Sequence, residues 1–255
     1  MATNPAAGFR MAHPLDMLTA DEITRAVEVL RATGRVGDEA LFAHVVLREP
    51  TKDELARWKV GDPIEREVRA QIVPGPGLTL VEAVVSVTRS EVHEWHEVEG
   101  RRPALLMTEA LYAIATTKEH PEYRAALARR GITDLEAVQI DPWPAGTFGY
   151  DCEEGRRIAR CISFLRADAT DNGYARPIEG VIVHFDLGNN EVIEVIDHGV
   201  VPLPPNRANF WVEDQPAMRT DLKPISISQP DGPSFTVDGN LVRWQKWQLR
   251  VSFDP

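Results

Sequence analysis

Residues 81–98 read Val81-Glu-Ala-Val-Val-Ser-Val-Thr-Arg-Ser-Glu-Val-His-Glu-Trp-His-Glu-Val98, and this stretch decides the fold class. Val81, Ala83, Val85 and Val87 alternate with other residues, as expected of a strand with one buried face. Residues 92–98 then supply a second strand after a short polar turn. A third strand precedes them, because Val68, Ala70 and Ile72 alternate with charged or polar residues. The sequence therefore predicts an antiparallel meander.

A helix precedes this meander. Thr19-Ala-Asp-Glu22 is a capping box, in which the Thr hydroxyl and the Glu carboxylate satisfy backbone N–H groups at the helix start. The apolar residues that follow recur at helical spacing, and Gly34 ends the pattern. A second box, Thr51-Lys-Asp-Glu54, predicts a short helix after a strand over 40–47. A helix followed by a meander is an α+β module.

The second half of the chain repeats this order. Helices are predicted from Leu105 through Ala115 and from His120-Pro121 to Gly131, and strands over 158–165, 181–187 and 192–196. Glu91-Val-His-Glu94 and Glu191-Val-Ile-Glu194 each follow a Val-rich strand, so we expect two tandem copies of one module. We interpret residues 141–146 as a turn-rich link, the proline-rich stretch after Pro202 as a connector, and Leu241–Phe253 as one long strand.

Composition excludes several classes of protein. The 255 residues are 43% hydrophobic and 26% charged, which is typical of a globular protein, and no apolar run is long enough to span a membrane. The net charge of -11 makes nucleic acid an unfavourable partner. The doublets at 101–102, 129–130 and 156–157 are interpreted as solvated surface. Cys152 and Cys161 are expected to be free thiols, and Met1–Pro14 shows no signal peptide, so the expected location is cytoplasmic.

The residues alone define no catalytic or metal site. Nucleophile and phosphate-binding motifs are absent. His93 and His96, three apart on a strand, should face opposite sides, and His184, placed opposite Val195, should lie too far from His198 to share an ion. Acidic pairs at 153–154 and 168/171 are interpreted as solvated turns, and Cys161 as an inert buried thiol.

Several longer segments carry a resemblance. They are Ala145-Gly-Thr-Phe148, Arg156–Arg160, Pro177-Ile-Glu-Gly180, Val195–Pro202, Lys223–Phe235 and Val242–Phe253. The last two closely resemble the entry into the β-sandwich catalytic domain of the copper-containing, topaquinone-dependent amine oxidases, and the others resemble that family's small third domain.

The resemblance implies a domain plan and a partner. Residues 15–100 and 101–203 would be the second and third small domains, two cystatin-like α+β modules, and 204–255 a linker with the first strand of a truncated β-sandwich. The family oxidises a primary amine to an aldehyde, ammonia and hydrogen peroxide with copper and topaquinone. The implied partners are the catalytic domain of the full-length enzyme, a second copy in a homodimer, and the amine.

The resemblance also implies that this chain carries no cofactor. The family's quinone arises from a Tyr in an Asn-Tyr-Asp/Glu motif, its base is an Asp, and two of its three copper ligands form His-x-His. None of the four tyrosines here follows an Asn, and no His-x-His occurs. We therefore expect no catalytic and no metal residues, and an inactive chain.

Two residues are candidates for the mouth of the substrate channel. Trp143 and Tyr174 resemble third-domain residues that line it, although a half-exposed aromatic side chain in a loop is the alternative for each. A stand-alone binding or interaction module with this ancestry is the alternative for the whole chain.

Overall fold

The computed structural model describes residues 13–75, 80–101, 103–206 and 209–253. These form two compact units, one containing 13–75, 80–99 and 226–253, and the other 100–225 within the described ranges. Four helices and three antiparallel sheets make up the described part of the chain, so the predicted α+β class is confirmed. None of the helices in these ranges combines the length and apolar character that crossing a membrane requires.

The first unit is built on the predicted helix and meander. Its elements are α1 (Ala20–Ala32), β1 (Leu41–Leu47), α2 (Lys52–Arg57), β2 (Glu67–Val73), β3 (Leu80–Ser86) and β4 (Glu91–Val98), with the sheet in the order β1-β2-β3-β4. Both capping boxes are present, at Thr19 and at Thr51. Ala26 and Leu30 of α1 are buried in one core with alternate residues of β2 and β3, as the helical and strand periodicities predicted.

The second unit packs two helices on one face of a similar sheet. It contains α3 (Met107–Glu119), α4 (Pro121–Ala128), β5 (Val138–Pro144), β6 (Ile158–Leu165), β7 (Pro177–Asp186) and β8 (Glu191–Asp197), in the sheet order β5-β6-β7-β8. The interpretation of 141–146 as a turn-rich link was wrong, because most of it belongs to β5. Pro142 and Pro144 are tolerated there since β5 is an edge strand.

The two units repeat more than the order of their elements. In the first, Val84 pairs with Glu94 and Val85 with Val92; in the second, His184 pairs with Glu194 and Phe185 with Val192. One residue is therefore bulged out at the same place in each last strand, His93 in β4 and Ile193 in β8. Bulges of this kind change the direction of the side chains that follow. A bulge at the same place in both sheets is stronger support for a repeated module than a match of a few sequence letters.

A buried Arg–Glu pair is repeated as well. Arg66, just before β2, binds Glu22 in the first turn of α1 with Nε–Oε1 at 2.8 Å. Arg157, just before β6, binds Glu109 in the first turn of α3 with Nη2–Oε2 at 2.9 Å. Each pair joins the start of the helix to the start of the second strand, so the repeat extends to the polar contacts of the core.

The sequence interpretation of all the arginine doublets as solvated surface was therefore wrong for two of their side chains. The side chains of Arg130 and Arg157 are only 2% and 4% exposed. Arg129 and Arg130 both bind Asp197, which ties the end of α4 to β8. Burying these charges is tolerable because each has a carboxylate partner.

The C-terminal residues form a three-stranded sheet rather than one long strand. Its strands are β9 (Phe235–Asp238), β10 (Leu241–Trp244) and β11 (Trp247–Arg250), in the order β11-β10-β9. The prediction of one strand over 241–253 was wrong because Gln245 takes a φ of 52° and reverses the chain. Arg250 Nη1 lies 3.0 Å from Asp16 Oδ1, which anchors this sheet within the first unit.

Candidate functional site

The second sheet has one face covered by α3 and α4 and an outer face that carries the candidate site. Paired residues of antiparallel strands share a face, so the pairing assigns the side chains. The outer face displays two aromatic rings, three isoleucines, one arginine, one histidine and one glutamate on the strands: Trp143, Arg160, Ile162, Phe164, Ile182, His184, Glu194 and Ile196. We call this set, with Phe148, Tyr150 and Tyr174, the outer aromatic face.

One row crosses all four strands of this face. Trp143 pairs with Arg160, Arg160 with His184, and His184 with Glu194. The sequence placed His184 opposite Val195, which was wrong by one residue. The hairpin loop spans four residues, 187–190, instead of two, and the bulge at Ile193 takes back one of the two residues of shift. Trp143 stands at the free edge of the row with 57% of its surface exposed.

Arg160 is held by the loop that precedes β6. Its Nη2 binds Glu153 Oε1 at 2.7 Å, and its guanidinium lies over the rings of Phe148 and Tyr150 at 5.1 and 5.3 Å from their centroids. Cation–π contacts of this kind fix both partners. Phe148 and Tyr150 nevertheless remain 70% and 58% exposed, so the loop presents two aromatic rings to the outside.

Glu153 organises this loop, whereas the sequence interpretation treated it as a solvated turn residue. It is buried, and one of its oxygens accepts from the backbone N–H groups of Phe148, Gly149 and Tyr150 at 2.7–3.1 Å. Burial works against ionisation, but these amides and the Arg160 charge outweigh it and lower the pKa of Glu153. The carboxylate is therefore a fixed anchor for the aromatic loop.

His184 lies beneath the loop and is buried. Its Nδ1 is 3.5 Å from Cys152 Sγ and 3.3 Å from Glu194 Oε2, and its ring is 6.5 Å from that of Tyr150. A proton relay from thiol to carboxylate needs one partner on each ring nitrogen. Both partners here meet the same nitrogen, so the arrangement is a packing contact and not a nucleophile with its base.

Tyr174 joins the face from a 3₁₀ turn at Gly173–Ala175 that follows the loop after β6. Its ring meets the edge of Phe164 at 5.0 Å, and 55% of its surface is exposed. A hydrogen bond to Asp141 raises the pKa of Tyr174. A Cβ on Gly173 would come within 3.0 Å of Phe164 Cβ, so the turn sits directly on the sheet.

The two residues expected from the sequence thus share one face, although no direct contact joins them. The alternative interpretation placed Trp143 in a loop, but it lies on strand β5. Asp141 links the pair, because it lies two residues from Trp143 on the same face and binds Tyr174. Sequence reasoning did not assign Arg160, Glu153 or His184 to this face. The alternation of β6 around buried Ala159 and Cys161 was the available signal for Arg160.

The outer face of the first sheet has opposite chemistry. Its polar side chains are Arg48, Glu67, Arg69, Gln71, Glu82, Glu94 and His96, and Arg48 binds both Glu67 and Glu94, at 2.9 and 3.0 Å. The pairing also places four aliphatic side chains on this face, and these are buried: Val46, Val73, Leu80 and Val84. Charged faces of this kind are stable in water, whereas a face of aromatic and aliphatic side chains is typical of a contact surface. The outer aromatic face is therefore suited to contact with another apolar surface, whereas the outer face of the first sheet exposes charged groups to water.

His93 and His96 do not face opposite sides of β4, as strict alternation predicted. The bulge at His93 lets Val92 and Trp95 both pack in the core, which leaves His93 and His96 on the outer side. They still do not meet: His93 lies between Glu67 and Glu91 at 2.6 and 3.1 Å, and His96 lies near Glu94 at 3.7 Å.

Comparison with known proteins agrees with a two-module plan of this kind. Residues 19–95 match the model of the AGAO-like N2 domain, and residues 109–211 match that of the copper amine oxidase N3 domain. These two domains define a class of multidomain oxidases. The chain belongs to the copper amine oxidase family.

Curated relatives include enzymes from bacteria and plants. The chain is 40% identical over 246 residues to the primary amine oxidase of Arthrobacter sp. (strain P1), covering 96% of this chain and 37% of the relative. It is 36% identical over 259 residues to the histamine oxidase of Arthrobacter globiformis and 35% identical over 285 residues to N-methylputrescine oxidase 1, peroxisomal, of Nicotiana tabacum, covering 95% of this chain and 36% of each relative. The chain thus spans little more than a third of the length of these relatives.

A solved structure supports the fold. The copper-containing benzylamine oxidase from Hansenula polymorpha superposes with a TM-score of 0.73 at 20% identity, over 93% of this chain and 40% of that chain.

The motifs that the resemblance links to copper and topaquinone do not occur in this sequence. In the described ranges, the one group of three or more His, Cys, Asp and Glu side chains close enough to hold a metal is Glu65, Glu67 and His93, which contains a single imidazole. The sequence has neither a His-x-His nor an Asn-Tyr pair. No step of amine oxidation is therefore assigned to a side chain of this chain.

Proposed function

We propose that this chain forms the N2 and N3 accessory domains of a primary-amine oxidase and that the outer aromatic face is the surface on which the catalytic domain of that enzyme docks. The contrast between the two outer faces carries the proposal. Two sheets of the same topology and bulge position differ chiefly in that one exposes ion pairs and the other exposes Trp143, Phe148, Tyr150 and Tyr174. Exposed aromatic groups of this density mark interaction surfaces.

The whole enzyme would oxidise a primary amine to an aldehyde and release ammonia and hydrogen peroxide, with copper and topaquinone in the catalytic domain. Trp143 and Tyr174 stand at the edge of the docking face, where they would line the mouth of the substrate channel. Their rings would bind the apolar part of an incoming amine and set which amines enter. The chain by itself would release no peroxide.

The test uses a chimera in which this chain replaces the 246 matched residues of the Arthrobacter sp. primary amine oxidase. We expect amine-dependent peroxide release from the chimera and none from the chain alone. Trp143→Ala and Tyr174→Ala in the chimera should raise KM for a bulky aromatic amine several-fold while leaving kcat for that same amine near its original value. Loss of uniform binding produces that pattern.

Tyr112→Ala is the matched control, because Tyr112 is an equally exposed aromatic residue on α3, outside the outer aromatic face. It should leave both kinetic constants unchanged. A folded chimera in which neither face substitution changes KM would favour the alternative, a stand-alone interaction module. Peroxide release by the chain alone would overturn the accessory role itself.

A cytoplasmic location and a homodimer of the whole enzyme complete the proposal. Cys152 and Cys161 are both free thiols, which a reducing compartment maintains. Sedimentation of the chimera should give the mass of two chains.

A further inference from the structure

The bulged residue of β4 brings a metal-binding imidazole next to two carboxylates outside the docking face. One potential ligand atom each from Glu65, Glu67 and His93 lies within 4.8 Å of the others. His93 is aimed there by the bulge that pairs Val84 with Glu94 and Val85 with Val92. Without the extra residue, alternation would turn the ring to the other side of the sheet.

The surrounding charges leave room for a cation. Arg48 holds Glu67 through Oε2 at 2.9 Å, so Oε1 faces His93 at 2.6 Å. Arg89 and Ser86 bind Glu65 through Oε1, at 3.2 and 2.5 Å. Around the ring, the four carboxylates of Glu65, Glu67, Glu91 and Glu94 face the two guanidinium groups of Arg48 and Arg89. When His93 is neutral, as a metal ligand must be, the excess of two negative charges matches one divalent ion.

We propose that Glu65, Glu67 and His93 form a surface site for a single Zn²⁺ ion. Nitrogen from imidazole and oxygen from carboxylates are ligands that Zn²⁺ accepts together, whereas Ca²⁺ and Mg²⁺ prefer oxygen alone. Two ligands of one zinc ion, each about 2.1 Å from it, lie roughly 3.4 Å apart. The three ligand atoms lie within 4.8 Å of one another, and small rotations of these side chains would bring each pair to the separation that zinc requires.

The second unit supplies an internal comparison. The pairing makes Arg156, Ile158 and Ile193 the counterparts of Glu65, Glu67 and His93. The repeated fold thus places a cationic and two aliphatic side chains where the first unit has three ligands. The site is a property of these three side chains and not of the fold.

Calorimetric titration of the whole chain with Zn²⁺ in a buffer that does not chelate metals tests the proposal. We expect one equivalent to bind, and His93→Gln to weaken binding at least tenfold. His96→Gln is the matched control, since His96 is an exposed imidazole on the same strand and face; it should change the affinity less than twofold. Ca²⁺ should give no such transition.

Glu67→Gln, with its melting temperature measured alongside, should also weaken Zn²⁺ binding at least tenfold. In parallel, Zn²⁺ should shift or broaden the NMR signals of the His93 ring ahead of those of His96. The absence of a one-equivalent transition, equal affinity in His93→Gln, or an equal loss in His96→Gln would overturn the proposal.

Discussion

Among single residues, Asp197 of β8 joins the arginine doublet at the end of α4 to the second sheet. It accepts from Arg130 at 2.8 Å, from Arg129 at 3.1 Å and from the N–H of Gly199 at 3.0 Å. Gly180 makes room for this contact, because a Cβ there would lie 2.7 Å from the Gly199 carbonyl oxygen at a φ of +77°. The segments around Gly180 and Asp197 therefore lie against each other and together form the contact between α4 and the sheet. We call this contact the α4 joint.

This joint predicts a pH dependence. Hydrogen bonds from Arg130, Arg129 and Gly199 lower the pKa of Asp197 well below its ordinary 3.8. A group whose pKa falls on folding stabilises the protein above its unfolded pKa, and that contribution disappears as the pH falls toward the folded value. Asp197→Asn should therefore cost about 2 kcal/mol of unfolding free energy at pH 7, the size of charge-assisted hydrogen bonds, and progressively less below pH 4.

Urea unfolding at pH 7, 5 and 3 measures this difference. Asp231→Asn, a substitution in the exposed turn before β9, is the control and should cost little at any of these pH values. A constant penalty for Asp197→Asn across the range would show that the carboxylate does not titrate as described.

The two thiols should differ in reactivity. Burial raises the pKa of Cys161 to about 11, although a hydrogen bond with Thr117 opposes the rise; the thiolate that reacts is therefore scarce. Cys152 is part-exposed beside His184. We expect a disulfide reagent to label one thiol per native chain and two after denaturation, and Cys152→Ser to remove the native signal. Native labelling that persists in Cys152→Ser would contradict the burial of Cys161.

Among the elements, the connector between the second unit and the C-terminal sheet is a long exposed segment with little regular structure. Residues 210–239 are all exposed, and before β9 only Val212–Asp214 has regular structure there. Trypsin should cut first after Arg219, since Lys223 is followed by a proline. Arg219→Gln should remove the early cut.

The fragment 220–255 should remain bound after this cut. Asn240 and Arg250 both contact Asp16 of the first unit, and Leu241 is buried. Size-exclusion chromatography of the cleaved protein measures the association, and Asp16→Asn should weaken it. Immediate separation of the fragment from the wild-type protein would mean that the C-terminal sheet does not pack as described.

The sequence predicted most of these elements because their signals are local. The two capping boxes, the stripe of α1 and the alternation in β2 and β3 concern residues within a few positions of each other, and all were confirmed. The bulges at His93 and Ile193 were missed because they are set by which residues of a neighbouring strand must stay buried. The turn at Gln245 was missed because a non-glycine residue with positive φ leaves no mark in the pattern.

The candidate site was harder to predict than the fold. Trp143 and Tyr174 came from a resemblance, and their common face emerged only from the pairing of β5 with β6. Arg130, Arg157 and Glu153 were expected in solvent because charged residues usually are. Arg130 and Arg157 are buried against carboxylates that are distant in sequence. Glu153 is buried where the backbone N–H groups of residues 148–150 converge on it. The chemistry of a single residue does not reveal such partners.

For the whole molecule, the proposal is that the outer aromatic face is a contact surface. The chain spans 37% of the Arthrobacter sp. relative, so the chimera places a large catalytic portion next to these modules. The outer face of the first sheet exposes ion pairs around Arg48 instead of aromatic rings.

Hydroxyl-radical footprinting of the isolated chain and of the chimera tests this claim most directly. We expect the oxidation of Phe148 and Tyr150 to fall severalfold in the chimera and that of Trp143 and Tyr174 to fall in part. Tyr112 on α3 should be oxidised equally in both proteins. Equal oxidation of Phe148 and Tyr150 in a folded, active chimera would contradict the claim, because the aromatic face would then remain in solvent beside a working catalytic domain.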